Sequence, residues 1–236
     1  DHIRVLDFTT HMIAQPVGSS KIVSGLPDFL AGHIPGASHV DMANDLSDPE
    51  GPYPFAMLDS KQFVALMQRL GIKPSDHVVL YGRSAMSTIT RAWAVLHVNG
   101  HDKVSILNGG WSAWVNAAGL VSTENPDIKP SVYEVRQPRF EHIVGLHAVR
   151  DAANRAPQSL VNALTRVQFM GSGGPHYGRP GRIPGSVNVP ARELFDLKTN
   201  RFVSTDEMQS LFAAAGIDWS QPIIHYCGGG IAASTS

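Results

Sequence analysis

One cysteine in 236 residues excludes an internal disulfide, and no CxxC pair or Cys/His cluster of metal-ligand spacing occurs. Charge of either sign is in no surplus: 19 Lys and Arg against 20 Asp and Glu leave a formal net charge of −1. Bulk electrostatics therefore give no case for nucleic acid or an anionic membrane as partner. No apolar run approaches membrane-spanning length, and Asp1-His2-Ile3-Arg4 has the character of neither a signal nor a transit peptide. A start without Met reads as trimmed. The Gly-rich Lys motif of nucleotide loops is absent, and the eleven histidines are scattered, as structural or solvated residues are. What remains is 43% hydrophobic content, normal for a globular protein, in a chain long enough for two ordinary domains. Cytoplasm is the default compartment for a free reactive thiol.

The lone thiol stands in Ile223-Ile224-His225-Tyr226-Cys227-Gly228-Gly229-Gly230-Ile231-Ala232-Ala233-Ser234. An apolar run of strand character leads to Cys227, three glycines follow, and small residues able to start a helix come next. A strand-to-helix turn built on glycine can point consecutive backbone N–H groups inward, making an anion-holding nest at the positive end of the next helix. That setting favours a thiolate and nucleophilic chemistry. A buried cysteine serving as a small hydrophobe is the alternative. Glycine packs nothing and costs conformational entropy, so three beside a thiol point to a backbone that wraps something closely.

From the beginning, Ile3 to Phe8 reads as a short strand, Val17 to Ser24 as a loop, and Ala31 to Val40 as a turn leading into another short strand. Asn44 to Pro54 has loop chemistry. Asp59 with Gln62 predicts a capped helix whose apolar stripe is Phe63, Leu66, Met67 and Leu70, ending at Gly71. His77 to Tyr81 reads as a buried strand, Thr88 to Val98 as a helix and Val104 to Leu107 as a strand. Asn108-Gly109-Gly110-Trp111 turns into a short helix.

The second half repeats this order. Gly32-His33-Ile34-Pro35-Gly36 matches Gly181-Arg182-Ile183-Pro184-Gly185, Leu70-Gly71-Ile72 matches Ala215-Gly216-Ile217, and Val79-Leu80-Tyr81 matches Ile224-His225-Tyr226. Ser204 with Glu207 caps a helix as Asp59 with Gln62 does. Strands alternating with helices predict an α/β fold with two mostly parallel sheets flanked by helices, joined by a polar, proline-bearing linker. Ligands of such sheets sit at the carboxyl ends of strands, where Cys227 is predicted to lie. Its counterpart in the first copy is Gly82, so one loop holds a nucleophile and the other does not.

This ordered set, with Leu107-Asn108-Gly109-Gly110-Trp111 and Trp114, resembles the tandem rhodanese-like sulfurtransferases over essentially the whole chain. The resemblance implies two rhodanese-like domains: a catalytically silent one over 1–124, a linker over 125–140, and a catalytic one over 141–236. It implies that Cys227 accepts a sulfane sulfur as a persulfide from thiosulfate or 3-mercaptopyruvate and passes it to cyanide or a thiol, including a protein thiol. Gly228, Gly229, Gly230, Ile231, Ala232 and Ala233 would hold the persulfide through their N–H groups, with ping-pong kinetics. Arg179 and Arg182 are the anion clamps expected from their place in the sequence, with solvated loop charges as the other reading of them. Gly171-Ser172-Gly173-Gly174 reads as a substrate-entry loop. No cofactor, metal, nucleic acid or membrane is expected, and the default assembly is a monomer of two packed domains.

The chain departs from that family's pattern in three places. Its cysteine loop is neutral, unlike that of many thiosulfate enzymes, yet lacks the hydroxyls of mercaptopyruvate enzymes near Gly229 and at Ala232. Leu160 to Leu164 stands where the family has Asp-Ala-Arg, which predicts an altered polar tie in the second domain. Finally, only about two turns of helix can follow Cys227 before Ser236, so the second domain is expected to lack its C-terminal part. A cysteine phosphatase is the rival enzyme, but its loop closes on an arginine and none follows Cys227. A non-catalytic rhodanese-like binding or sulfide-sensing module is the rival of another class.

Overall fold

The computed structural model describes residues 2–15, 20–135, 137–155, 160–176 and 178–236. In the first half the elements are β1 (Ile3–Asp7), β2 (Thr10–Ile13), β3 (Lys21–Ser24), α1 (Leu26–Ala31), β4 (Ser38–His39), α2 (Ser60–Arg69), β5 (His77–Tyr81), α3 (Met86–Val98), β6 (Val104–Ile106) and α4 (Gly110–Asn116). In the second they are α5 (Leu146–Arg155), β7 (Leu160–Asn162), α6 (Arg166–Met170), β8 (Val187–Asn188), β9 (Phe195–Asp196), β10 (Arg201–Phe202), α7 (Thr205–Ala214) and β11 (Ile224–Tyr226).

The apolar runs of β1 and β5 make the centre of a wholly parallel sheet of order β4-β1-β5-β6, with Leu6 opposite Leu80 and Asp7 opposite Tyr81. Helices cover it, as parallel sheets require. Asp59 accepts from the Gln62 N–H while the Gln62 side chain accepts from the Asp59 N–H, so α2 starts in a reciprocal cap and lays Phe63, Leu66 and Met67 into the core. The second half rebuilds the plan with three parallel strands among the described residues, in the order β8-β7-β11. These occupy the places of β4, β1 and β5. Its core of Val161, Val189, Leu194, Phe212 and Ile217 is much smaller than the first, which runs from Leu6 and Phe8 through Phe63 and Leu80 to Ile89 and Leu96.

Two expectations need correction, and one connecting segment takes a definite place. The stretch predicted as a loop up to Ser24 is, in its described part, largely strand: β3 pairs antiparallel with β2, Thr10 opposite Ser24 and Ile13 opposite Lys21. Its β-branched Ile22 and Val23 form too short a run to stand out beside Gly and Ser in the sequence; positions 17–19 lie outside the described residues. The polar linker segment is docked on the first half. Tyr133 is buried, packs edge-on against Phe63 and meets His101 Nδ1 with its hydroxyl at 2.9 Å, while Ser131 donates to the Ile72 carbonyl. After Cys227, where small residues read as able to start a helix and about two turns could fit, the chain forms a single 3-10 turn, Ala232–Ser234.

The halves also grip each other. The β9–β10 hairpin sends Phe195 into the first core, and Asn200 donates to the Ser84 carbonyl at 3.1 Å. In return, α3 meets the 3-10 turn, with the Thr90 and Thr235 hydroxyls 2.9 Å apart. No helix among the described residues is long and apolar enough to cross a membrane.

Candidate active site

Cys227 follows β11, which pairs with β7 so that Tyr226 lies opposite Asn162. The thiol therefore stands at the carboxyl edge of the second sheet, the usual ligand side of such sheets. The strand end is pinned to the Gly181–Ser186 turn: the Ile183 N–H donates to the Tyr226 hydroxyl at 3.0 Å, and the Ser186 hydroxyl is 2.7 Å from the same oxygen. The first half has the same clasp, the Ile34 N–H donating to the Tyr81 hydroxyl at 3.2 Å.

The loop then curls back on the sulfur. Gly230, at φ +77, donates its N–H to Cys227 Sγ at 3.1 Å. Ser234 donates to the Gly230 carbonyl at 2.6 Å, and Ile231 is buried as the loop's anchor. Of the six N–H groups expected to face the sulfur, that of Gly230 is hydrogen-bonded to it. The glycines have a spatial reason: a Cβ at 229 would come within 3.1 Å of the Phe55 ring, and one at 230 within 3.4 Å of Arg91 Nη1. Cys227 itself is half-buried and borders a cavity of about 50 Å³, whose wall includes Met12, Ile22, Phe55 and Leu164. Met12, Ser20, Leu164 and Ala232 also border a neighbouring groove of about 320 Å³ that reaches Arg192 and Leu197.

Arg179 and Arg182 border neither space. Arg179 lines a separate pocket with Gly171, Gly173 and Gly174, which shares only the Leu164 wall with the Cys227 cavity. Arg182 stacks over Phe169, 4.6 Å from the ring centre. Sequence reasoning missed two residues that do reach the loop, Phe55 and Arg91. Arg91 lies in the middle of α3, a charge inside an apolar helix, which was the available signal. It donates to the Phe55 carbonyl at 2.7 Å. Burial pushes its pKa down, only partly offset by electrostatic interaction with Cys227 and Tyr53. Phe55 holds a left-handed φ of +62, a conformation that non-glycine residues adopt at a cost.

In the first half the equivalent loop is filled. Arg83 lies 3.8 Å over the Trp111 ring and donates to the Gly32 carbonyl, and the Gly82 carbonyl accepts from the Trp111 N–H at 2.9 Å.

Residues 23–117 match the model of the rhodanese-like domain. The chain is 30% identical over 209 residues to 3-mercaptopyruvate sulfurtransferase of Escherichia coli K12, covering 88% of this chain and 73% of that protein. The chain belongs to the rhodanese-like sulfurtransferase family. Other members are similar to it at the same level: mouse 3-mercaptopyruvate sulfurtransferase at 30% identity over 87% of this chain and 70% of that one, and chicken thiosulfate sulfurtransferase at 28% over 87% and 71%. The crystal structure of the E. coli family member SseA superposes with a TM-score of 0.84 at 28% identity, over 99% of this chain and 85% of that one. The α/β rhodanese fold in a two-domain arrangement is thus that of the family, and the chain is a sulfurtransferase by membership.

Proposed function

We propose that the chain moves a sulfane sulfur from 3-mercaptopyruvate or thiosulfate to cyanide or a thiol through a persulfide on Cys227, within a domain spanning 141–236, while 1–124 is catalytically silent. The observation that carries this reading is the Gly230 N–H donating to the sulfur of the chain's lone cysteine, at a strand end open to a cavity. The Cys227 thiolate attacks the outer sulfur of the donor and a new S–S bond forms. With thiosulfate, the old S–S bond breaks and sulfite leaves with its electron pair; with 3-mercaptopyruvate, the C–S bond breaks and the enolate of pyruvate leaves, to be protonated at carbon. The acceptor thiolate or cyanide then attacks the outer persulfide sulfur and returns Cys227 as thiolate, which is a ping-pong sequence. N–H groups of the Gly228–Ala233 stretch serve the anionic sulfur in both states. The E. coli and mouse relatives named above are mercaptopyruvate enzymes, and a loop without basic side chains agrees with that donor. Arg179, in the neighbouring pocket, and Arg182, over Phe169, stand as anion-binding candidates for the donor's approach.

Intact-protein mass after brief exposure to each donor tests the reading. Wild type is expected to gain one sulfur atom and Cys227→Ser none, with 3-mercaptopyruvate the faster donor. A wild type that gains no sulfur from either would remove the sulfurtransferase reading.

A further inference from the structure

The chemistry above leaves one buried group of the first half unexplained. Arg91 is only 5% exposed, yet among the described residues no carboxylate lies within ion-pair distance of it. A buried guanidinium without a counter-charge is costly, and natural proteins pair such groups. Its hydrogen-bond partner is the neutral Phe55 carbonyl. The guanidinium lies beside the Cys227 loop, since a Cβ on Gly230 would sit 3.4 Å from Nη1 and 3.9 Å from Cζ, and Arg91 borders with Gly228, Gly229 and Gly230 a cavity of about 490 Å³. Gly230 is the same residue whose N–H reaches the sulfur.

We propose that Arg91 is a positioning residue for the Cys227 loop, its fixed positive charge behind Gly230 acting as the counter-charge of the Cys227 thiolate and of the persulfide anion. The inference rests on the reading of Cys227 as the sulfur carrier and extends it across the domain interface: the silent half supplies the charge that the neutral loop lacks. A fixed charge beside an ionisable group shifts its equilibrium by an amount that depends on burial, and Arg91 is a buried residue. Other titratable groups near the loop are Tyr53, His97, His142 and His225, which line the same cavity as Gly228, Gly229 and Gly230. Tyr53 lies near Arg91, and burial holds His225, whose Nδ1 meets the Ser236 hydroxyl, towards its neutral form. The α3 contact with the 3-10 turn holds the two sides in register.

Because Cys227 is the one cysteine in the chain, alkylation by iodoacetamide reads this thiol alone and needs no sulfur donor. Arg91→Met and Arg91→Gln remove the charge and Arg91→Lys keeps it; two neutral variants guard against a folding failure in either, checked by thermal midpoint. At pH 7 both neutral variants are expected to alkylate roughly tenfold more slowly than wild type, with Arg91→Lys within about threefold of it. A folded neutral variant that alkylates as fast as wild type overturns the proposal, as does an Arg91→Lys variant as slow as the neutral ones. Sulfur uptake by the same proteins is measured in parallel. If wild type takes up no sulfur, the sulfurtransferase reading falls while the alkylation comparison still decides the role of Arg91.

Discussion

Asp7 and Asn162 end the first strand of their respective sheets, and each folds its side chain back to take the N–H two residues on: Thr9 to Asp7 at 2.9 Å, Leu164 to Asn162 at 2.9 Å. The turn is the same and the electrostatics differ. Asp7, 1% exposed, also accepts from the Thr9 hydroxyl and from His39 Nδ1 at 3.0 Å, and His39 continues through Nε2 to the Ser24 hydroxyl at 3.0 Å. Asn162 has a neutral neighbour, Asn188, which donates to the Asn162 and Leu164 carbonyls at 2.9 Å each. Asn162 lies across the β7–β11 pairing from Tyr226, the residue preceding Cys227, at the place where the family pattern has Asp. The half without a thiol keeps its carboxylate and the half with one has an amide. The loops differ too: after Gly82, Arg83 packs over Trp111 and the Ser84 carbonyl accepts from Asn200 of the β9–β10 hairpin, whereas Cys227 borders a cavity of about 50 Å³. A shared backbone plan therefore carries two different polar fillings.

The sharpest way to break this comparison is at the glycines. Gly230→Ala forces a side chain onto a left-handed residue against Arg91, and sulfur uptake is expected to fall at least about tenfold, since the loop's N–H to the sulfur moves. Gly82→Ala, whose Cβ would meet Ile89 and the Thr9 nitrogen at 3.3 Å, is expected to cost about 1 kcal/mol of stability and leave uptake intact. Equal uptake in both variants would erase the distinction between the loops.

Next in size is the strand-end pair. Asp7→Ala strands several buried donors that face a charge, so a loss of about 3 kcal/mol is expected in denaturant unfolding, against about 1 kcal/mol for Asn162→Ala. Equal losses would mean that the charge at Asp7 adds nothing.

The smallest effect is in pH. Burial lowers the pKa of His101 in the first half and of His225 in the second. Unfolded, each binds a proton near its ordinary value of about 6.5 while the folded form resists it, so stability is full above that pH and declines as pH falls below it. Each histidine adds at most about 1.4 kcal/mol per pH unit to that slope. His101→Asn and His225→Asn are each expected to flatten the thermal-midpoint decline between about pH 6.5 and 5. An unchanged slope in either variant would show that its histidine does not resist protonation in the folded state.

Much of the fold was legible because its signals are local. The strand His77–Tyr81, the Asp59–Gln62 cap and the repeat that places β8, β7 and β11 after the pattern of β4, β1 and β5 are written in neighbouring residues. The β2–β3 hairpin and the docked segment around Tyr133 were not legible, since two β-branched residues or one tyrosine in polar company read as loop until a partner surface is known. The candidate site divides along the same line. Cys227 and its glycines stand together in the chain and announced themselves. Arg179 and Arg182 are close to them in neither the cavity nor the hydrogen bonding, although Arg182 stands in the matching turn and Arg179 just before it.

The sequence by itself determined two α/β copies, one thiol at a strand end in the second, and no thiol in the first, because strand periodicity, caps and turn glycines act over a few residues. Only the tertiary structure decided which charge stands behind that thiol. Arg91 reaches the Gly230 loop through the packing of α3 on the other half, and a contact between distant segments depends on how two surfaces fit, which no local pattern encodes.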